Sequence, residues 1–149
     1  MSYNDLRKGR YSQIEGEYFI TIVLAQRTPL FTDFNLARCF VKELAHSQKT
    51  QQGEWLAWVV MPDHFHGLLR LHQGTLSTFI KNLKGRSAKL INEYRGIKGQ
   101  SVWQSNFYDH ALRQAEDRLQ IARYIVANPL RAGLVSNVAH YPHWDSMYL

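Results

Sequence analysis

Two histidines, His64 and His66, stand two residues apart directly after a tight-turn signal, Pro62-Asp63. Side chains at positions i and i+2 of an extended strand point to the same face, so the two imidazoles are predicted to lie side by side. Neutral imidazole is a common ligand for divalent metals, and two rings leave several coordination positions open. The pair indicates a metal site, although two polar residues on a solvated strand face would give the same pattern.

A tyrosine and an asparagine are candidates to meet that metal. Tyr124 and Asn128 are spaced i, i+4 on a predicted helix and therefore share one of its faces. Ile121, Ala122 and Ile125 can hold this helix on the core, which leaves Tyr124 to project beside the histidine strand. Tyrosines at helix edges and an asparagine before proline also occur for structural reasons alone, so spacing leaves both interpretations open.

Length and composition restrict the class of protein. The chain of 149 residues, 45% of them hydrophobic, fits one domain over residues 1–149 with a proper core. Its apolar runs are far shorter than a membrane span, and its N-terminus lacks the apolar core of a signal peptide. The only cysteine, Cys39, has no partner for an intrachain disulfide. These features predict a cytoplasmic protein.

The positive charge favours a polyanionic partner. The formal net charge is +6 and the isoelectric point is about 9.6. The basic residues are clustered, at Arg7, Lys8 and Arg10 and again at Lys81, Lys84, Arg86 and Lys89. No glycine-rich phosphate loop follows a predicted strand, which argues against nucleotide hydrolases and dehydrogenases. Nucleic acid is therefore the leading partner, although the second cluster would also suit a solvated helix face.

Hydrophobic periodicity predicts the elements that position these residues. The predicted strands are Tyr18 to Ala25 in a central position, Glu54 to Met61, His64 to His72, and one or two short strands within Val102 to Arg113. The predicted helices run from a cap at Thr32 or Asp33 to about Ser47, from Thr75 to about Tyr94, and from Glu116 or Asp117 to Ala127, with Pro129 ending the last helix at Asn128. This order predicts an α+β fold of ferredoxin-like type, an antiparallel sheet with packed helices.

Four segments carry a resemblance to a known family. They are Tyr18-Phe19-Ile20-Thr21, Trp58 through His66, Val102-Trp103-Gln104 with Phe107 through His110, and Tyr124 through Val135, which contains Asn-Pro-Leu-Arg-Ala-Gly-Leu-Val. Over almost its whole length the chain resembles the REP-associated tyrosine transposases, a branch of the single-tyrosine HUH transposases. The resemblance implies the HUH endonuclease fold.

The resemblance also implies an activity. It implies a single-strand DNA endonuclease and strand transferase that acts at hairpin DNA, forms a 5′-phosphotyrosine intermediate and leaves a free 3′-OH. Tyr124 takes the position of the nucleophile, and His64, His66 and Asn128 take the positions of the metal ligands. At the position of Asn128, relatives can carry glutamine. An N-terminal basic segment that reads a sequence beside the hairpin corresponds to Arg7, Lys8, Gly9 and Arg10.

Chemistry supports the same set of residues. Phosphodiester cleavage requires charge neutralisation on the nonbridging oxygens, which a divalent cation on two imidazoles and an amide oxygen can supply. Mixed nitrogen and oxygen ligands are compatible with Mg2+ or Mn2+, of which Mn2+ suits imidazole better. The basic helix residues Lys81, Lys84, Arg86 and Lys89 are predicted to contact DNA.

Two other functions and one other nucleophile stay open at this point. The protein could bind DNA hairpins without cleaving them, or hydrolyse DNA through metal-activated water. Tyr108 is the rival nucleophile, but it lacks a partnered ligand at helical spacing and is expected to pack in the sheet. His110 is expected to be structural or to support the metal ligands, and Trp103 and Phe107 to be buried. A monomer is favoured over a homodimer that exchanges tyrosine helices.

Overall fold

The computed structural model describes residues 15–113 and 115–148, and it builds these ranges around one antiparallel sheet. The strands are β1 (Glu17–Val23), β2 (Gly53–Val60), β3 (His64–Leu71), β4 (Tyr108–Ala111) and β5 (Trp144–Ser146). The α-helices are α1 (Phe34–Lys49), α2 (Leu76–Arg95), α3 (Ala115–Val126) and the single turn α4 (Asn128–Arg131). The sheet order β4-β1-β3-β2-β5 contains the ferredoxin-like order 4-1-3-2 and adds β5 at the β2 edge. The predicted fold class is confirmed, and β1 is an interior strand as expected.

The main core lies between the sheet and the helices α1 and α2. Alternate residues of the strands point to this side, and Ile20, Ile22, Phe65 and Leu69 are fully buried there against Phe40 of α1. Phe65 therefore faces the layer opposite to the two histidines, as the strand period predicts.

Side-chain caps explain where the two long helices begin. Asp33 Oδ1 accepts hydrogen bonds from the backbone N–H groups of Asn35 (2.8 Å) and Leu36 (3.2 Å) at the start of α1. Thr75 Oγ1 accepts one from Thr78 N at 3.2 Å at the start of α2. Asp33 is one of the two predicted caps of α1, and Thr75 lies where the sequence predicts that α2 starts.

The helix α3 covers the other face of the sheet. Ala122 and Ile125 are buried there against Val59 of β2 and Leu68 of β3, in a smaller second core. His64, His66 and Leu68 alternate with Phe65 and so share this face. The sheet thus separates a large apolar layer from the layer that holds the candidate chemistry.

Three details differ from the sequence prediction. The helix α3 ends at Val126, near the predicted end, but Pro129 lies in the first turn of a further short helix, α4, where its missing N–H is not needed. Ala127 N still donates to Arg123 O at 3.0 Å, so α3 and α4 are nearly continuous. The helical spacing of Tyr94 with Leu83 and Ile91 predicts that it packs on the core side of α2, but Tyr94 is 54% exposed. The strand β5 was not predicted at all.

Within the described ranges, no helix combines the length and the hydropathy that crossing a lipid bilayer requires.

Candidate active site

The antiparallel pairing of β1, β2 and β3 fixes the position of the two histidines. His64 lies opposite Val23 of β1, and His66 lies between Thr21 of β1 and Val59 of β2. The imidazole centroids are 4.7 Å apart, with the ring planes at 75°. The predicted side-by-side arrangement on one sheet face is therefore present.

Each imidazole is oriented by a hydrogen bond at Nδ1. His64 Nδ1–H donates to Asp63 Oδ1 at 2.7 Å, and Arg27 Nε donates to the other oxygen of that carboxylate at 3.1 Å. Although burial acts to raise the pKa of Asp63, the hydrogen bonds and charges of His64 and Arg27 outweigh it and leave this pKa below its ordinary value. His66 Nδ1 lies 2.8 Å from Thr21 Oγ1. In the tautomer with the proton on Nδ1, Nε2 of each ring carries the lone pair that a metal would bind.

His66 is held in its neutral form. Burial, the neighbouring His64 and the charge of Arg131 together lower the pKa of His66 to about 3. The ring also stacks on Phe19, with centroids 5.3 Å apart and planes at 26°. A neutral imidazole is the form that binds metals, so at neutral pH no proton has to leave His66 first.

The Tyr124 side chain lies beside His66. The two ring centroids are 6.2 Å apart, and Phe19 contacts the Tyr124 ring edge-to-face at 5.9 Å. Tyr124 is nevertheless 46% exposed, so a substrate can approach its ring. The arrangement places a phenol and two imidazoles around one accessible region of the sheet face.

Asn128 is the third predicted metal ligand. Its Nδ2 donates to the backbone carbonyls of Tyr124 (3.0 Å) and Ile125 (3.3 Å). Because the amide nitrogen faces the helix backbone, the amide oxygen is the atom that points away from it. Asn128 is thus tied to the turn that carries Tyr124, and the structure gives no contact between it and the imidazoles.

The donor set suits a metal that is only partly held by protein. Among the described residues, no three His, Cys, Asp or Glu side chains gather as a metal site. Two imidazole Nε2 atoms and an amide oxygen would leave positions open for substrate oxygens, as catalytic rather than structural metals require. The residues present therefore fit an open catalytic site and do not fit a closed zinc site.

The basic residues of α2 lie on the other side of the sheet from the histidines. Lys81 and Lys89 are exposed, whereas Lys84 Nζ donates to the backbone carbonyls of Gln104 (2.6 Å) and Asn106 (3.3 Å). Arg86 Nε forms an ion pair with Glu43 of α1 at 3.1 Å. The structure therefore does not bring these four predicted DNA contacts to the candidate active site, and the N-terminal set Arg7, Lys8, Gly9 and Arg10 lies outside the described residues.

The other aromatic and histidine candidates are also placed. Trp103 and Phe107 are buried as expected. Tyr108 was expected to pack in the sheet but is 42% exposed, and it lies opposite Thr21 on the face of the histidines. His110 is exposed on β4.

Three residues that contact the candidate site are not identified by sequence spacing. The sequence indicates Asp63 only as a turn residue, and Thr21 and Arg131 only as parts of longer motifs. A carboxylate directly before a candidate histidine ligand is a local signal that could have identified Asp63. Thr21 reaches His66 through the pairing of β1 with β3, and Arg131 reaches Tyr124 because α4 continues the path of α3. Residue spacing alone predicts neither contact.

The sheet of order 4-1-3-2 with helices on both faces defines a ferredoxin-like α+β protein, and one face of this sheet carries two adjacent histidines and a tyrosine. The chain belongs to the family of IS200-like transposases, whose family model matches residues 12–128.

Individual relatives agree with this family. The REP-associated tyrosine transposase of Escherichia coli K12 is 29% identical over 137 residues, which are 89% of this chain and 78% of the relative. A putative REP-associated tyrosine transposase of Haemophilus influenzae is 29% identical over 140 residues, 86% of this chain and 78% of its own.

Two solved structures are also similar. A REP-associated tyrosine transposase bound to a REP hairpin matches with a TM-score of 0.73 and 28% identity, over 97% of this chain and 82% of the other. A putative transposase from Deinococcus radiodurans matches with a TM-score of 0.57 and 26% identity, over 80% of this chain and 95% of the other.

Proposed function

We propose that this protein is a metal-dependent single-strand DNA endonuclease and strand transferase that acts at hairpin DNA through a covalent 5′-phosphotyrosine intermediate. The observation that carries the proposal is the Tyr124 ring, exposed and 6.2 Å between centroids from His66, which in turn lies 4.7 Å from His64. A nucleophile and two imidazole nitrogen ligands at one accessible point are what metal-assisted, tyrosine-dependent cleavage of a phosphodiester requires.

Tyr124 is the proposed nucleophile. Its hydroxyl attacks the phosphorus of the scissile linkage, the bond from Tyr124 Oη to phosphorus forms, and the bond from phosphorus to O3′ breaks. The phenolic proton is lost, O3′ leaves as a hydroxyl after taking up a proton, and the downstream strand stays on Tyr124 through its 5′ phosphate. Because the phosphotyrosine ester conserves the energy of the broken bond, a 3′-OH can reverse the attack and join a strand without another energy source.

His64, His66 and Asn128 are the proposed ligands of Mg2+ or Mn2+. When bound, the ion supplies positive charge to the nonbridging oxygens of the phosphate. Asp63 and Thr21 bind Nδ1 of the two imidazoles, which fixes the rings and leaves Nε2 of each for the metal. Asn128 adds an amide oxygen from the same turn of helix as the nucleophile.

The DNA partner follows from charge and from the relatives. The net charge of +6 favours a polyanion, and a related transposase has been solved bound to a REP hairpin. Arg7, Lys8, Gly9 and Arg10 are the proposed readers of the segment beside the hairpin. Lys81, Lys84, Arg86 and Lys89 are proposed as backbone contacts, of which the exposed Lys81 and Lys89 are the best placed. Residues 1–149 are proposed to act as one domain, and as a monomer.

One gel assay separates this function from the two alternatives. Hairpin oligonucleotides with single-stranded tails, designed from inverted palindromes sought in the DNA beside the gene and labelled at each end in turn, are incubated with the protein and Mn2+ or EDTA. The proposal predicts metal-dependent cleavage, one fragment with a free 3′-OH, and a second fragment that migrates with the denatured protein. Cleavage without any protein adduct would indicate hydrolysis by water, and a retarded but intact oligonucleotide would indicate a hairpin-binding protein without activity.

A further inference from the structure

Arg131 of α4 makes two contacts with the proposed nucleophile. Its guanidinium carbon lies 3.8 Å from the centroid of the Tyr124 ring, and its Nη2 donates to the Tyr124 backbone carbonyl at 3.1 Å. The near continuity of α3 and α4 across Pro129 makes this possible, because it places Arg131 two helical turns after Tyr124. The Arg131 side chain thus contacts both the ring and the backbone carbonyl of Tyr124.

The charge of Arg131 is available to a substrate. Four other arginines face carboxylates: Arg27 with Asp63, Arg70 with Glu17 and Glu54, Arg86 with Glu43, and Arg118 with Glu17. No carboxylate of the described residues lies within ion-pair distance of Arg131, and the side chain is exposed. A guanidinium has five N–H donors, and the Tyr124 carbonyl uses one of them.

The Arg131 guanidinium lies where the phosphate of a bound DNA strand would be attacked by Tyr124. Arg131 packs on the Tyr124 ring, whose centroid lies 6.2 Å from that of His66. A phosphodiester attacked by Tyr124 would lie between the phenol and the imidazoles, within the same neighbourhood. Arginine binds phosphate oxygens through paired, charge-assisted hydrogen bonds from its planar guanidinium.

We propose that Arg131 binds the phosphate that Tyr124 attacks and holds the Tyr124 ring beneath it. This inference rests on the proposed function, because it takes Tyr124 as the nucleophile. It assigns the scissile phosphate a protein contact that does not depend on the metal.

Binding without metal and without cleavage isolates this contact. The Tyr124→Phe protein retains the ring on which Arg131 stacks, and EDTA removes the contribution of the ion. Hairpin oligonucleotides carry one neutral methylphosphonate at a time at successive linkages of the single-stranded tail. At one linkage we expect the methylphosphonate to weaken binding about 10- to 100-fold, the range of a hydrogen bond between charged partners.

The double variant Tyr124→Phe/Arg131→Gln should lose that sensitivity at the same linkage while binding elsewhere is unchanged. Arg131→Lys should retain part of it, because it keeps the charge but not the planar fork. Tyr124→Phe/Arg123→Gln is the matched control, since Arg123 is an exposed arginine of α3 one residue from position 124. Unfolding curves show whether each variant is folded.

The outcomes separate this inference from the proposed function. If wild-type protein forms a DNA adduct but methylphosphonate sensitivity is equal with and without Arg131, the arginine contact is wrong and the function stands. If one linkage depends on Arg131 but wild-type protein forms no adduct, Arg131 binds phosphate in a protein that does not cleave.

Discussion

At the scale of single residues, Asp63 links His64 to Arg27 and so fixes the orientation of the His64 ring. Its carboxylate accepts the Nδ1–H of His64 and is held on its other oxygen by Arg27. Removing the carboxylate charge should loosen the ring orientation and reduce the basicity of Nε2. Supporting carboxylates of this kind typically contribute about 10- to 100-fold in metal affinity.

We therefore expect Asp63→Asn to weaken Mn2+ binding by the EDTA-treated protein about tenfold, the low end of that range, because asparagine still accepts one hydrogen bond. Isothermal titration calorimetry measures the affinity directly. Glu93→Gln is the control, since Glu93 is an exposed carboxylate of α2 on the other side of the sheet. Equal Mn2+ affinities of Asp63→Asn and wild type would show that this carboxylate does not support the metal ligand.

The sequence located some of the site residues and missed others for physical reasons. His64 and His66 could be paired because a strand has a period of two, and Tyr124 with Asn128 because a helix has a period near four. The contacts of Thr21 with His66 and of Arg131 with Tyr124 depend on strand register and on a helical path that continues past proline. Such contacts are not encoded in local spacing.

At the scale of elements, α2 contains two kinds of lysine. Lys84 is bound to loop carbonyls, whereas Lys81 and Lys89 are exposed. The double variant Lys81→Gln/Lys89→Gln should lower the slope of log affinity for hairpin DNA against log salt concentration by about 0.7 for each single-strand phosphate that the variant no longer binds. Lys84→Gln should instead lower the melting temperature. Fluorescence anisotropy over a salt series gives the slope.

The control for this series is Lys42→Gln/Lys49→Gln, which removes the same charge from exposed positions of α1. If Lys81→Gln/Lys89→Gln has the wild-type salt slope, the basic face of α2 is solvated and does not contact DNA.

The strand β3 depends on a glycine next to His66. A Cβ atom on Gly67 would lie 2.5 Å from Trp55 Cζ3 and 2.7 Å from Phe65 Cζ, so alanine cannot fit without displacing core rings. We expect Gly67→Ala to lower the free energy of unfolding by about 1–3 kcal/mol. A Cβ atom on Gly85 of α2 would have nothing within 4 Å, so Gly85→Ala should raise that energy by about 0.5–1 kcal/mol. Urea denaturation curves in which Gly67→Ala is as stable as wild type would contradict this packing.

The elements themselves were predictable where local rules act. Asp33, one of the two predicted caps, caps α1, and α2 begins directly after Thr75, where its start was predicted. The Pro62-Asp63 turn joins β2 and β3 as expected. The strand β5 was not predictable, because its three residues carry no alternation and its order comes from pairing with the β2 edge. The helix α3 ends at Val126, close to the predicted end at Ala127, whereas the turn α4 that follows was not predicted, because proline is tolerated in the first turn of a helix.

At the scale of the whole molecule, the C-terminal segment places a buried histidine in the fold. His143 is 5% exposed, packs against Phe34 and Tyr141, and its Nδ1 is buried without a hydrogen-bond partner among the described residues. Burial, assisted by the charge of Arg38, lowers the pKa of His143 below its ordinary value. Between that lowered pKa and about 6.5 the unfolded chain binds more protons at this residue than the folded protein does.

His143 should therefore make the free energy of unfolding fall as pH drops below about 6.5, with its full contribution present above that pH. His143→Phe fits the aromatic surroundings and removes the titrating group. We expect this variant to be at least as stable as wild type at pH 7.5 and to lose less stability between pH 7 and pH 5.5. Chemical denaturation at each pH provides the values. An identical pH dependence of the two proteins would show that His143 does not contribute to acid sensitivity.

The two faces of the sheet carry different parts of the protein: the main apolar core and the candidate active site. The layer with α1 and α2 holds most of the buried apolar side chains, and the layer with α3 holds the histidine pair and Tyr124. A covalent bond between DNA and one tyrosine on the second layer is the central claim of the proposed function.

Mapping the tyrosine that carries DNA tests that claim most directly. The protein is incubated with the hairpin oligonucleotide and Mn2+, digested with protease and nuclease, and the modified peptide is identified by mass spectrometry. We expect the nucleotide on Tyr124, no adduct or cleavage with Tyr124→Phe, and an adduct with Tyr108→Phe, whose exposed ring lies on the same sheet face. DNA attached to Tyr108 or any other residue, or cleavage by a folded Tyr124→Phe protein, would contradict the account.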